Sequence, residues 1–185
     1  ICGAGDVFFN RCLVVTEPRN ADGSGRDVIA APRTSVTNWG YVFDHCTIRG
    51  VKSEFQYGRG WHTQPRMALL YTRLETPQLL KEPRFDPNGM RTVQSLFYEY
   101  GTTDADGNPY MPKSNVITFT LKDEKRQHET VLTDEEARRF QLKNVFPDWR
   151  PEKMTKKLMK KTARMKAKAF REWELPDRFE MSFGE

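Results

Sequence analysis

A chain of 185 residues has the length of one domain with a real core, and 37% hydrophobic with 12% aromatic residues excludes a disordered chain. It holds no run of 18 apolar residues, which excludes a membrane-spanning helix. The net charge of +5 sits mostly at the end: residues 151–185 hold ten bases and six acids, and 153–171 hold nine Lys or Arg and no acid.

The chain opens on Ile1-Cys2-Gly3, already inside an apolar stretch, and reads as the interior of a longer protein, so the missing secretory signal carries no weight. Residues 6–15 and 40–48 both read as short β-rich strands. Placing Cys12 on Cys46 puts Phe8 on Val42, Phe9 on Phe43 and Val14 on Ile48. A third copy at 67–74 puts Leu69, Thr72 and Leu74 at the Phe9, Cys12 and Val14 positions. The periods are 34 residues (Cys12 to Cys46) and 26 (Cys46 to Thr72), in the range of solenoids. Turn-rich loops of unequal length, 17–25 and 83–89, follow the strands and suit a parallel β-helix, with the Cys12, Cys46 and Thr72 side chains as one inward ladder. A β-sandwich with coincidental similarity is the alternative.

Further strands are expected at 27–34, ending near Pro32, at 92–100 and at 115–121, with a polar turn over 102–109. Thr133-Asp-Glu-Glu136 is a capping box that predicts a helix to about Leu142. The stretch 146–151 breaks it, and a basic helix is expected over 152–173 with Met154, Leu158, Met165, Ala169 and Trp173 on one face.

The chemistry concentrates at Gln56-Tyr57-Gly58-Arg59-Gly60-Trp61. Arg59 is permanently charged and can hold a carboxylate through two parallel hydrogen bonds, and Trp61 offers a flat apolar face. Together they suit an acidic carbohydrate, the bland alternative being a surface turn with a packed tryptophan. Cys2, Cys12 and Cys46 match neither a disulfide framework nor a zinc spacing, and no metal site is expected.

Six stretches in order carry a resemblance. They are Ile1-Cys-Gly-Ala-Gly-Asp-Val-Phe-Phe-Asn-Arg-Cys12, Val28-Ile-Ala-Ala-Pro-Arg33, the strand at 40–48, Tyr57-Gly-Arg-Gly-Trp61, Phe97-Tyr-Glu-Tyr-Gly101, and Leu132-Thr-Asp-Glu-Glu-Ala137 followed by Asp148-Trp-Arg-Pro151. They are similar, in turn, to the I-F-G segment, the T-A-Q-G-R stretch, the G-F-V-F-x-N-C-x-I strand, the L-G-R-P-W motif, F-x-E-Y-G, and the closing L-T-x-E-E-A and W-x-P of pectin methylesterases (pectinesterases). The chain thus resembles the C-terminal portion of that family's catalytic domain. The resemblance implies an all-β fold, a right-handed parallel β-helix (single-stranded solenoid) with C-terminal helices. It covers residues 1–151; the basic helical tail expected over 152–185, which has no clear counterpart in the family, packs on the β-helix or extends from it.

The resemblance also implies a carbohydrate esterase that hydrolyses methyl esters of galacturonan, with an aspartate nucleophile, a second aspartate as acid/base, glutamine donors for the oxyanion and no cofactor. In this register the nucleophile falls two residues before Ile1, and Arg59 is the catalytic position that carries over, holding the nucleophilic carboxylate. Trp61, Tyr57 and His62 are the expected substrate contacts. Gly60 stands where the family has proline and is expected to loosen the loop. Ala31 and Pro32 replace its glutamine and glycine. Asp6 is read as a turn residue and not a substitute nucleophile, His45 as a strand residue facing away from Asp44 and Cys46, and Glu99 as a structural hydrogen-bond partner. Pectin is the expected partner, outside the cell or in the periplasm, with no nucleic acid. A non-catalytic β-helix that binds acidic polysaccharide is the alternative.

Overall fold

The computed structural model describes residues 1–18, 20, 22, 27–35, 37–61, 65–87, 97–121, 123–149 and 151–169. They fall into two compact units, Ile1–Val145 and Phe146–Glu185.

The first unit is a parallel β-helix. Its coils are strands β1 (Cys2–Gly3), β2 (Val7–Asn10) and β3 (Leu13–Thr16); then β4 (Asp27–Pro32), β5 (Tyr41–Asp44) and β6 (Thr47–Gly50); then β7 (Phe55–Arg59), β8 (Met67–Leu70) and β9 (Arg73–Leu74); then β10 (Phe85–Asp86) and β11 (Phe97–Tyr100). Equivalent strands stack into three parallel sheets, ordered β1-β4-β7-β10, β2-β5-β8-β11 and β3-β6-β9.

The stacking register is the one the repeat predicts. Phe8 pairs with Val42, Phe9 with Phe43, Phe43 with Leu69, Val14 with Ile48 and Ile48 with Leu74. Identical spacing in successive coils puts like side chains on top of one another, so the core is a set of ladders. Phe9 and Phe43 stack with ring centroids 4.4 Å apart, and Phe43, Leu69, Cys46, Ile48 and Leu74 are fully buried. All three cysteines are free thiols; Cys46 is buried and Cys12 is partly covered beside it in the core.

The corner between the second and third sheets corrects the reading of His45. Arg11, His45, Tyr71 and Gly101 occupy this corner in successive coils, and all four have positive φ (55°, 52°, 51° and 64°). Their N–H groups donate to the coil above, Arg11 to Asp44, His45 to Leu70 and Tyr71 to Tyr100, at 2.7–2.9 Å. His45 is therefore a one-residue left-handed bend and not a strand residue. Its Nδ1 is 2.8 Å from Asp44 Oδ1, and its ring stacks on Tyr71 at 4.7 Å. Stacked corner side chains and shared backbone hydrogen bonds hold non-glycine residues in a conformation that costs each about 1–2 kcal/mol.

After β11 the chain leaves the solenoid as an antiparallel hairpin, β12 (Val116–Leu121) with β13 (Glu124–Glu129). The first of these strands is legible in the sequence and the second is not, because Glu-Lys-Arg-Gln-His-Glu carries no β-branched or aromatic signal. The predicted strand at 92–100 is seen over Phe97–Tyr100, and residues 92–96 lie outside the described residues. The capping box is present: Thr133 Oγ1 accepts from the Glu136 N–H while Glu136 accepts from the Thr133 N–H. It opens a helix shorter than expected, α1 (Asp134–Arg138), followed by a separate turn of helix, α2 (Leu142–Val145). In the second unit α3 runs over Pro151–Ala169, so Pro151 opens the basic helix; its missing N–H costs nothing in the first turn. Trp173 lies outside the described residues. Among the described residues no helix is long and apolar enough to cross a membrane.

Candidate functional site

The first sheet places the sequence-predicted residues. Strand β7 sits between β4 and β10, with Gly58 opposite both Ala30 and Phe85. A Cβ at Gly58 would lie 2.7 Å from Met67 Sδ, so a larger residue here requires the flexible Met67 side chain to move. Arg59 ends β7 and is exposed. Among the described residues no carboxylate pairs with its guanidinium. Trp61 follows two residues later and keeps 38% of its surface in solvent. His62 lies outside the described residues.

Tyr57 is a correction. It is fully buried, edge-on to Phe85 at 5.5 Å, and burial pushes its phenol far above the usual range. A side chain sealed in the core touches no polysaccharide, so Tyr57 leaves the substrate-binding set. The sequence places it beside Arg59 but carries no sign of which neighbour points inward.

Gly60 is a second correction. It is buried, and its N–H donates to the Asp86 carbonyl at 3.1 Å. Proline has no N–H to give. The substitution therefore adds a cross-strand bond directly after Arg59, where the sequence suggests a looser loop.

Two residues at the site carry no sequence signal of their own. Asp86 lies opposite Arg59 in the β7–β10 register and is 4% exposed. It sits in the stretch 83–89, which reads as a turn-rich loop; the apolar Phe85 between two charged residues is the one local sign of a strand. Gln56 is also buried, its Nε2 donating to the Pro83 carbonyl at 2.6 Å.

Behind the sheet lies a buried charged cluster. Arg84 Nη1 donates to Glu99 Oε2 at 2.5 Å, Nε to Glu82 at 3.1 Å and Nη2 to the Tyr110 carbonyl at 3.1 Å, with its guanidinium 5.0 Å from the Tyr110 ring centre. Thr102 Oγ1 donates to the same Glu99 oxygen at 3.0 Å. Glu99 is 2% exposed and is a structural partner, as its sequence context suggests. Asp6 is likewise structural: its Oδ1 accepts the Gly40 N–H at 2.8 Å. Among the described residues no group of three or more His, Cys, Asp or Glu side chains could hold a metal ion.

At the end of β7 the exposed guanidinium of Arg59 is followed two residues on by Trp61, whose indole keeps part of its surface in solvent. A guanidinium can hold a carboxylate through two parallel hydrogen bonds.

No family model matches the chain. The protein described as "Probable pectinesterase 49" of Arabidopsis thaliana is 37% identical to it over 78 residues, which cover 40% of this chain and 22% of the relative. A crystal structure of pectin methylesterase in complex with a hexasaccharide matches with a TM-score of 0.53 at 22% identity, over 82% of this chain and 48% of that one. The chain therefore spans about half the length of that solved structure, and less of the plant relative. In sequence and in fold, the chain is similar to part of a pectinesterase.

Proposed function

We propose that this chain is part of a pectinesterase-type carboxylic ester hydrolase that removes methyl groups from galacturonan outside the cell or in the periplasm. The observation that carries this reading is the exposed Arg59 beside Trp61 at the end of a central strand, in a β-helix similar to pectin methylesterase. The nucleophile is an aspartate two residues before Ile1. Its carboxylate attacks the ester carbonyl, a second aspartate upstream of Ile1 gives its proton to the departing oxygen so that methanol leaves, and the same aspartate then takes a proton from the water that hydrolyses the acyl-enzyme. Arg59 holds that carboxylate in line and keeps it ionised, while Trp61 covers a neighbouring sugar. His62 completes the substrate contacts.

The test is methanol release from methylated pectin by the protein extended to include the residues before Ile1. Arg59→Ala should lose at least ten-fold in kcat with unchanged thermal stability. Undiminished turnover in that variant removes Arg59 from the mechanism. Absence of aspartate two residues before Ile1 removes the nucleophile.

One observation favours a second reading, a β-helix that binds acidic polysaccharide without catalysis. The Lys and Arg side chains of α3 from Lys153 to Arg164 are all exposed, and no acid follows Glu152 within the helix. Binding through this helix should weaken steeply between 50 and 500 mM salt, on the order expected from charge screening. Replacing Lys156, Lys157, Lys160 and Lys161 by Gln should abolish it; salt-independent binding would sink this reading.

A further inference from the structure

Helix α3 has two chemically distinct sides, and nothing in the esterase reading uses either. At about 100° per residue, Lys153, Lys156, Lys157, Lys160, Lys161 and Arg164 fall within one arc of about 140°. Met154, Thr155, Leu158, Met159 and Thr162 fall within a second arc of about the same width on the opposite side. No base from 153 to 164 enters the second arc, and no methionine or leucine enters the first.

Both sides are in solvent. Met154 and Leu158 are each 55% exposed and Met159 is 66% exposed, and all six bases are exposed as well. Two residues before the helix, Trp149 is exposed too, its ring edge-on to Phe146 at 5.4 Å.

The positive charge is not compensated. The stretch 153–164 contains no acid, and among the described residues no carboxylate pairs with any of the six bases. The bases also face one another. Lys153 and Lys157, Lys156 and Lys160, Lys157 and Lys161, and Lys160 and Arg164 are four residues apart, the spacing at which like charges destabilise a helix. An anionic partner relieves that repulsion, and an apolar one covers the methionines and the leucine.

A charged polysaccharide supplies only the first of these and leaves the apolar arc in water. A protein groove takes bulky anchors, whereas this arc holds two methionines, one leucine and two threonines with no aromatic. An anionic lipid surface supplies both. The apolar arc enters the boundary between headgroups and acyl chains, and the long lysine stems beside it reach back to the phosphates. The exposed Trp149 indole suits the same headgroup level.

We propose that α3 lies flat on an anionic lipid bilayer, with Met154, Leu158 and Met159 in the headgroup boundary and its lysines on the lipid phosphates. The helix rests on the bilayer and does not cross it. Such docking is independent of the esterase chemistry. It differs from polysaccharide binding by the same helix, which engages the charges alone.

The test is co-sedimentation of the 185-residue chain with vesicles of phosphatidylglycerol and phosphatidylcholine in equal amounts, set against vesicles of phosphatidylcholine alone. At low salt, binding to the anionic vesicles should be stronger by about ten-fold or more. Replacing Lys156, Lys157, Lys160 and Lys161 together by Gln should remove most of that difference. The deciding variant is Met154→Gln with Leu158→Gln. It changes two exposed side chains, keeps the charge, and keeps a helix propensity close to the original. It should weaken binding to the anionic vesicles about ten-fold and leave any affinity for polygalacturonate unchanged. Equal binding to the two kinds of vesicle overturns the proposal. So does undiminished binding of the Met154→Gln, Leu158→Gln variant to the anionic vesicles, which would make α3 a binder of polyanions through charge alone.

Discussion

Arg84 and Glu99 form an ion pair inside the solenoid, with side chains 1% and 3% exposed and a 2.5 Å Nη1–Oε2 distance. Glu99 lies opposite Leu69 in the second sheet, where the two coils before carry Phe43 and Phe9. A charge thus ends an apolar ladder. Burial raises the Glu99 carboxyl, while Arg84 and the Thr102 hydroxyl pull it back. Removing one partner leaves the other buried and unpaired, so Arg84→Met should cost about 3–5 kcal/mol in urea unfolding. Arg84→Met combined with Glu99→Leu should cost less than Arg84→Met alone. A single-variant loss below about 1 kcal/mol would show that Glu99 is neutral inside the protein.

Burial also lowers the pKa of His128, against smaller opposing effects of the Phe97 carbonyl and Glu129. Its Nε2 is 2.8 Å from the Phe97 carbonyl oxygen, and its ring is edge-on to Tyr98 at 5.2 Å. A depressed pKa means the unfolded chain takes up a proton first as pH falls. The stability this group contributes is complete above its ordinary pKa of 6.5 and is lost as pH falls below that toward the folded value. Urea midpoints between pH 7.5 and 5 should therefore fall more steeply for the native chain than for His128→Gln. Parallel slopes would mean that His128 titrates alike in both states.

Gly40 makes a sharper prediction. Alanine there would meet the Arg66 backbone at 2.1 Å and take an unfavourable positive φ. Neither is relieved by a side-chain rotation, because the clash is with backbone. Gly40→Ala should cost at least ~3 kcal/mol or prevent folding, whereas alanine at Gly107, with φ 89° and open space around its Cβ, should cost only ~1 kcal/mol. Circular dichroism melts of the two variants read the difference.

Thiol reactivity should separate the cysteines. Cys2 is exposed and should react with an aromatic disulfide within minutes under native conditions. Cys46 is fully buried, and burial raises its thiol pKa, so it should react only at the rate of unfolding. Rapid labelling of Cys46 would mean that the first coils open readily.

Arg59 and Tyr57 should behave oppositely although they share β7. Arg59→Ala removes an exposed side chain and should shift stability by no more than about 0.5 kcal/mol. Tyr57→Ala empties a core position against Phe85 and should cost about 3–5 kcal/mol. Equal effects would contradict the inward placement of Tyr57.

The ladder positions are legible in the amino-acid sequence, since stacked coils with a common register repeat their side chains at one spacing. Phe9, Phe43 and Leu69 align with one another for that reason. The capping box is equally legible, because its hydrogen bonds join residues three apart. Arg59 stands out as a charge between two glycines with an indole next in line, and it is exposed at the end of β7, with Trp61 partly exposed two residues beyond.

The burial of Tyr57, the β13 strand and the Arg84–Glu99 pair are decided only in three dimensions. Tyr57 is inward because β10 lays Phe85 beside it. The polar β13 is a strand because β12 gives its backbone partners, and backbone hydrogen bonds do not depend on side-chain type. Arg84 is buried because a carboxylate fifteen residues away is folded against it. Sequence by itself determined what repeats at fixed spacing or closes within a few residues. Tertiary structure decided what depends on a partner brought in from another coil, because burial and pairing are properties of neighbours that the local sequence does not contain.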